Sequence, residues 1–145
     1  MSIVIRKAQI DDSRDLTILS QQLGYESSID DIERRLAEIL DSDGHQVYVA
    51  CNNELVLGWI HGFYAIKIES PPFVEIGGLV VADGVRGQGV GKQLVQSVMQ
   101  WTQSIGCARL RVRCNAVRLA SHDFYGALGF ELNKQQKVFD LNLHP

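Results

Sequence analysis

The glycine-rich junction at residues 86–92 constrains this chain more than any other feature of its sequence. It reads Arg-Gly-Gln-Gly-Val-Gly-Lys and joins an apolar run, residues 73–82, to an amphipathic segment, residues 89–105. A strand, a glycine turn and a helix are therefore expected in immediate succession. The first amides of a helix have no intrahelical partners and carry the positive end of the helix dipole, so this junction can bind an anion. Glycines in the turn let backbone N–H groups approach phosphate oxygens closely.

Two common phosphate-binding motifs share part of this pattern, but neither fits it. A dinucleotide-binding turn requires G-x-G-x-x-G, and counting from Gly87 places Lys92 where the third glycine belongs. The phosphate loop of nucleotide hydrolases requires Ser or Thr after Gly-Lys, and this chain has Gln93 there. Nucleotide hydrolysis is therefore not expected, whereas a flexible connection without a ligand stays open as an alternative.

Composition bounds the protein without naming a reaction. At 145 residues, of which 46% are hydrophobic and 21% charged, residues 1–145 are expected to form a single domain with its own core. The net charge of −3 and the lack of a basic stripe predict no nucleic-acid partner. No apolar run reaches the roughly 18 residues needed to span a bilayer, and the N-terminus does not resemble a signal peptide, which predicts no membrane partner and a cytoplasmic location. The three cysteines lack C-x-x-C spacing, so neither a disulfide framework nor a metal is expected.

Hydrophobic periodicity and turn residues predict the order β-α-α-β-β-β-α-β-α-β-β, an α+β fold with a mixed central sheet flanked by helices. Pro71-Pro72 is expected to end the third strand, and Gly77-Gly78 predicts a β-bulge in the fourth. Six of the seven strands are assigned to ranges, near residues 3–8, 46–51, 55–68, 73–82, 109–113 and 137–143, and the helices are expected near residues 11–22, 29–40, 89–105 and 118–128.

Two motifs connect this plan to a known family. Arg86, Gly89 and Gly91 form R-x-x-G-x-G, and residues 125–130 read Y-x-x-L-G-F. With the strand ending in Leu-Val-Val at residues 79–81 before the first motif, the chain resembles the GNAT superfamily of N-acetyltransferases over most of its length. The resemblance implies acetyl-CoA as cosubstrate, with its pyrophosphate on the glycine turn. It also implies coenzyme contacts at Leu79, Val80, Val81, Arg86, Gly87, Gln88, Gly89, Val90, Gly91, Lys92, Asn115 and Tyr125.

Acetyl transfer to an amine requires a neutral nucleophile, a polarised thioester carbonyl and an acid for the departing thiolate. A bulge frees a backbone amide for the developing oxyanion, and the resemblance places that amide at Leu79. Glu75 has the spacing of a catalytic glutamate in histone-type members and is the first candidate base, with an arginine-paired strand carboxylate as the alternative. Tyr125 is the candidate acid, with a core ring as the alternative. His61, His122 or a bound water could also serve as base or relay.

The acceptor is expected between residues 24–28 and residues 69–72, opposite the coenzyme. The aromatic and acidic side chains there, which would suit a small cationic amine, are Tyr25, Glu26, Glu69 and Asp123. The predicted function is acetyl-CoA-dependent N-acetylation of a small-molecule primary amine by direct attack in a ternary complex. The alternatives are a protein-amine acetyltransferase, acting on lysine or an N-terminus, and a non-catalytic acyl-CoA sensor. A homodimer stays open.

Overall fold

The computed structural model describes residues 2–114 and 118–144. The chain forms two compact units, and the boundary between them along the chain falls after Arg113. Within the described residues no helix is both long and apolar enough to cross a bilayer. The first unit contains β1 (Val4–Lys7), α1 (Ser13–Gln21), α2 (Ile29–Leu40), β2 (His45–Asn52), β3 (Leu55–Lys67), β4 (Ser70–Val81), α3 (Val90–Ser104) and β5 (Leu110–Val112). The second contains α4 (Leu119–Ala127).

The strands form one mixed sheet in the order β1-β2-β3-β4-β5. The pairs β1–β2, β2–β3 and β3–β4 are antiparallel, and β5 runs parallel to β4. A parallel pair needs a long crossover, and α3 supplies it. The α+β class with a mixed central sheet is confirmed.

Local sequence explains where the helices begin and end. Ser28 lies just before α2, and its Oγ accepts a hydrogen bond from the Asp31 N–H (3.1 Å), which satisfies one of the amides that a helix start leaves free. Gly24 follows α1 with φ of +87°, a left-handed conformation that glycine adopts without strain. The sequence pattern of Ser28 with Asp31 resembles a capping box and predicts the start of α2, and the bond that Ser28 accepts confirms the cap.

The two faces of the sheet are covered by different helices. One face, called here the helix-pair face, packs against α1 and α2; its buried cluster includes Leu16, Leu19 and Leu36 from the helices and Val47, Val49 and Val80 from the strands. The opposite face packs so closely on α3 that a Cβ added at Gly62 would lie 3.0 Å from the Val98 side chain. On the helix-pair face, side chains of neighbouring strands can meet only where the strand register brings their residues next to each other.

A β-bulge interrupts β4 at the predicted place. His61 of β3 lies opposite Gly78 and Gly62 lies opposite Ile76, so Gly77 is the extra residue. Glycine is required at Gly78, because an added Cβ would lie 2.7 Å from the Trp59 ring. The bulge is therefore encoded by the two glycines and confirms the sequence prediction.

The boundary between β3 and β4 differs from the prediction. Pro71 and Pro72 lie inside β4 instead of ending β3, and the turn falls at Ile68 and Glu69. Proline lacks the N–H that a ladder needs, and both prolines coincide with a register shift in the pairing of β3 with β4. The irregular pairing is what accommodates them.

The predicted strand at residues 137–143 is wrong. Residues 128–144, all described, contain no helix or strand, so the final β-β of the predicted order is missing there. Val138, Phe139 and Leu141 are 82–87% exposed. The alternation of apolar with polar residues over 139–143 favours an extended chain, but a strand also requires a partner ladder, which local sequence does not specify.

Candidate active site

The glycine turn before α3 is held in a conformation that favours glycine. Gly87 and Gly89 have φ of +80° and +86°, and Gly89 is the N-cap of α3. A Cβ added at either position would meet nothing within 4 Å. The left-handed backbone, and not crowding, is therefore what requires glycine at these two positions.

The start of α3 leaves main-chain donors outside the helical ladder. The α3 ladder begins with the bond from the Gln93 N–H to the Gly89 carbonyl (3.1 Å), so the amides of Val90, Gly91 and Lys92 precede it. The Val90 side chain is only 1% exposed and fixes the helix start against the core. The result is a rigid helix N-terminus with three amides available to an anion.

Two cations lie at the same turn. Arg86 forms an ion pair with Asp83 (2.9 Å), in which both side chains are more than half exposed. Lys92 is exposed in the first turn of α3. An exposed ion pair contributes little, about 0–1 kcal/mol, so a phosphate could draw Arg86 away from Asp83 at small cost.

The sheet opens at the bulge. β4 pairs with β5 only at residues 74–76, although β4 continues to Val81. Within the described part of the chain, residues 77–81 therefore have no strand on the β5 side. That edge is a row of backbone groups able to pair with an extended ligand.

The bulge also sets which amides face this open edge. The Val74 N–H donates towards β5 (2.9 Å), whereas the Ala82 N–H donates towards β3 (2.8 Å). In a regular strand the N–H groups of two residues that are an even number of positions apart point to the same edge. The N–H groups of Val74 and Ala82 point to opposite edges, and the extra residue Gly77 accounts for this reversal. Beyond the bulge, the amides of Leu79 and Val81 accordingly face the open side.

A pair of histidines lies beside the bulge on the helix-pair face. His45 Nδ1 and His61 Nε2 are 2.9 Å apart, and their rings are nearly parallel, with centroids 5.1 Å apart. The Phe63 ring packs beside both imidazoles, with its centroid 5.7 Å from each of theirs. Burial, reinforced by the His45 charge, lowers the pKa of His61 to about 4, so His61 is neutral at physiological pH. The two side chains are called the imidazole pair below.

Glu75 precedes the bulge and is held by an arginine. It lies opposite Phe63, and its Oε1 accepts a hydrogen bond from Arg113 Nε (2.9 Å). The Glu75 side chain is 16% exposed. The alternative raised from sequence, a carboxylate paired with an arginine, is thus present, and the role of Glu75 as base stays a prediction.

Tyr125 lies in α4 of the second unit. Its ring makes edge contacts with Phe124 and Phe130, with centroids 5.0 and 5.4 Å apart. Burial raises the pKa of Tyr125 to about 12, with a smaller contribution from Cys114, so the phenol is protonated at neutral pH. Its catalytic role stays a prediction. Asn115, the other predicted coenzyme contact in this unit, lies outside the described residues.

Sequence reasoning named His61 but missed its partner His45. The two residues are 16 positions apart and meet because β2 and β3 pair with Val47 opposite His61 and His45 opposite Phe63. Only the hairpin signal between these strands, at residues 52–53, could have suggested the register. The predicted acceptor loop, residues 24–28, lines a shallow recess with Gln21.

Comparison with known proteins identifies the family. A sequence model of the acetyltransferase (GNAT) family matches residues 13–130. An aminoglycoside N(6')-acetyltransferase type 1 from Stenotrophomonas maltophilia is 28% identical over 133 residues, covering 86% of this chain and 84% of the relative. One from Salmonella typhimurium is 30% identical over 98 residues, covering 65% and 68%.

A solved structure shares the fold. That of AAC(6')-Iy in complex with the bisubstrate analog CoA-S-monomethyl-acetylneamine superposes with a TM-score of 0.86 at 23% identity, covering 98% of this chain and 99% of the other. The resemblance read from the two sequence motifs is thereby confirmed. The family match extends over the glycine turn, the opened strand and the tyrosine motif together, and the chain belongs to the GNAT family of acetyltransferases.

Proposed function

We propose that this enzyme transfers the acetyl group of acetyl-CoA to a primary amine of a small cationic acceptor of the aminoglycoside class. The observation that carries the proposal is the opening of the sheet beyond Ile76, next to a helix start with free amides. A diphosphate with an extended amide-containing arm suits that combination. Both sequence relatives described above are aminoglycoside N(6')-acetyltransferases, which supports the acceptor class.

The coenzyme would bind mainly through the main chain. The amides of Val90, Gly91 and Lys92 would hold the pyrophosphate, with Arg86 and Lys92 adding positive charge. The Gln88 N–H would join these amides by leaving the Val85 carbonyl, to which it donates at 3.3 Å. The pantetheine arm would pair with the free edge of Leu79 and Val81, as an added strand does. The Val80 side chain is buried in the core beneath this edge. Asn115 remains a predicted contact from sequence alone.

The chemistry proposed is direct attack of the amine on the thioester in a ternary complex. The Leu79 N–H, released from the ladder by the bulge, would donate to the developing oxyanion. Tyr125 would protonate the departing thiolate, since its phenol keeps its proton at neutral pH. The incoming amine would approach from the helix-pair face, where Glu75 is the predicted base and His61 the competing one.

A covalent route through cysteine is disfavoured. Burial raises the pKa of the Cys114 thiol, which lowers its thiolate fraction, and Cys51 and Cys107 are buried. Cys114→Ala is therefore expected to keep its activity.

The acceptor would bind near the recess at residues 24–28. Tyr25, which is 52% exposed, and Glu26 offer an aromatic surface and a negative charge there. These groups suit an aminosugar that carries several ammonium groups.

A thiol-release assay with acetyl-CoA and an amine panel tests the function. The panel pairs aminoglycosides bearing a 6′-amine with analogues bearing a 6′-hydroxyl, and adds polyamines, amino acids and lysine peptides. Turnover of the 6′-amines alone is expected. Preference for peptides would indicate a protein-amine acetyltransferase. Saturable acetyl-CoA binding without turnover of any amine would indicate a sensor, and no binding at all would refute the proposal.

A further inference from the structure

The imidazole pair lies beside the β4 bulge, where the proposed function places the attacking amine. We propose that His61 and His45 form a relay that carries a proton of this amine from the β4 bulge to the start of β2. The relay rests on the proposed function, because it serves the same amine. It assigns the proton to the histidines and leaves Glu75, bound to Arg113, as a fixed negative charge on the same face.

The first argument is access. His61 pairs with Gly78, directly before Leu79, and a Cβ added at Gly77 would lie 3.0 Å from His61 Nδ1. The missing side chain at Gly77 therefore leaves this nitrogen facing bare backbone at the bulge. Within the described residues, the hydrogen bonds of His61 involve Nε2 only, so Nδ1 is available to a ligand.

The second argument is the tautomer. When both rings are neutral, one hydrogen lies between His61 Nε2 and His45 Nδ1. If His61 provides it, His61 Nδ1 carries a lone pair and His45 carries its own hydrogen on Nε2. This arrangement leaves an acceptor at the bulge and a donor at the far end of the pair, which is the polarity that a relay requires.

The transfer balances without another reactant. As the amine nitrogen forms its bond to the thioester carbon, an N–H bond breaks and its proton goes to His61 Nδ1. His61 Nε2 gives its proton to His45 Nδ1, and His45 Nε2 gives one to water. Each imidazole ends neutral in the opposite tautomer, and ring rotation or proton exchange with water restores the first state.

Burial explains why the proton moves onward. The protonated form of His61 is unfavourable, because burial lowers the pKa of His61 to about 4. His45, the first residue of β2, is partly exposed. The nitrogen of the tetrahedral adduct is more acidic than a free ammonium, so a weak base can still accept its proton. Phe63 packs against both imidazole rings, with its centroid 5.7 Å from each of theirs, and so supports the pair from one side.

The test compares His61→Gln, His45→Gln and the double variant in steady-state kinetics with a 6′-amino aminoglycoside. Glutamine can hydrogen-bond but cannot pass a proton on, so kcat is expected to fall about 100-fold in His61→Gln with acetyl-CoA affinity unchanged. Members of one relay act as a unit, so the double variant is expected to be no slower than His61→Gln. His144→Gln, at an exposed histidine near the chain end, is the matched control and should equal the parent.

Several outcomes would overturn the relay: kcat within twofold of the parent in His61→Gln, additive losses in the double variant, or a kcat loss in Glu75→Gln equal to that in His61→Gln. Circular dichroism and thermal melting of each variant identify any that fail to fold. Nitrogen-15 NMR of labelled histidines in the parent supplies a readout independent of any acceptor. It should show neutral His61 protonated at Nε2, and an Nδ1–H tautomer would overturn the relay even if no amine were turned over.

Discussion

The glycine turn and the imidazole pair are two ways of placing polar groups at the proposed reaction site. The turn uses exposed backbone amides, and its side chains matter mainly by their absence at Gly87 and Gly89. The imidazole pair uses side chains from β2 and β3, half-buried and bonded to each other. Acetyl-CoA binding at the main-chain site should survive most side-chain substitutions and should fail when a glycine is replaced. Substitution of a histidine in the side-chain site should reduce turnover and leave acetyl-CoA binding intact.

The largest effect is expected from Gly89→Asp. The substitution forces a non-glycine residue to φ of +86° and puts a negative charge at the helix start beside a diphosphate. Repulsion between charges about 4 Å apart near a surface is on the order of 4 kcal/mol, which corresponds to a loss of about 1000-fold in acetyl-CoA affinity. Isothermal titration calorimetry measures it.

Two variants separate charge from backbone strain. Gly89→Asn keeps the turn uncharged with a residue that tolerates left-handed φ, so it should lose much less affinity. Gly84→Asp adds the same charge where a Cβ meets nothing within 4 Å and φ is not left-handed, and it should bind nearly as the parent does. Equal affinity in all three variants would remove the pyrophosphate from this turn.

Tyr125→Phe tests the behaviour expected of a side-chain site, which is a loss of turnover without a loss of binding. Removing the hydroxyl should slow turnover about 100-fold, because the thiolate then leaves without its proton donor, while acetyl-CoA affinity changes little. Phe124→Leu alters the neighbouring ring and keeps the phenol, so it is the matched control. Unchanged kcat in Tyr125→Phe would reduce Tyr125 to a packing residue.

Gly77→Ala tests a position where the absence of a side chain, as in the glycine turn, leaves room for a side-chain site, the imidazole pair. The new Cβ would lie 3.0 Å from His61 Nδ1 and 3.2 Å from the Phe63 ring. We expect about a tenfold fall in kcat, since the relay entrance is blocked while the glycine turn is untouched. Gly44→Ala is the control, because its Cβ would make only an ordinary 3.8 Å contact. A larger change in acetyl-CoA affinity than in kcat would contradict this expectation.

The same contrast explains what sequence could predict. The glycine turn, the bulge at Gly77-Gly78 and the cap at Ser28 depend on residues adjacent in the chain, and all three were predicted. The bond between His45 and His61 depends on strand register, which several weak contacts set together. It was therefore missed.

The strand predicted at residues 137–143 failed for a related reason. Its alternation of apolar with polar residues favours an extended chain, but pairing depends on distant residues. Two further expectations stay predictions. One is that residues 1–145 form one domain, and the other is that Glu75, Leu79 or Tyr125 act in catalysis.

The smallest expected effect is on acid stability, and it isolates the imidazole pair from catalysis altogether. The folded pKa of His61, about 4, lies below its unfolded value of about 6.5. Between these values the unfolded state binds more protons, so stability falls as pH falls through this window. From about pH 7.5 to about pH 6 the loss should be on the order of 1 kcal/mol, less any solvent screening. Urea denaturation at both pH values measures it. His61→Gln removes the titrating group and should lose less stability over this interval than the parent and the His144→Gln control. If all three lose the same amount, His61 is not kept neutral by its surroundings, and the proton would rest on it instead of moving to His45.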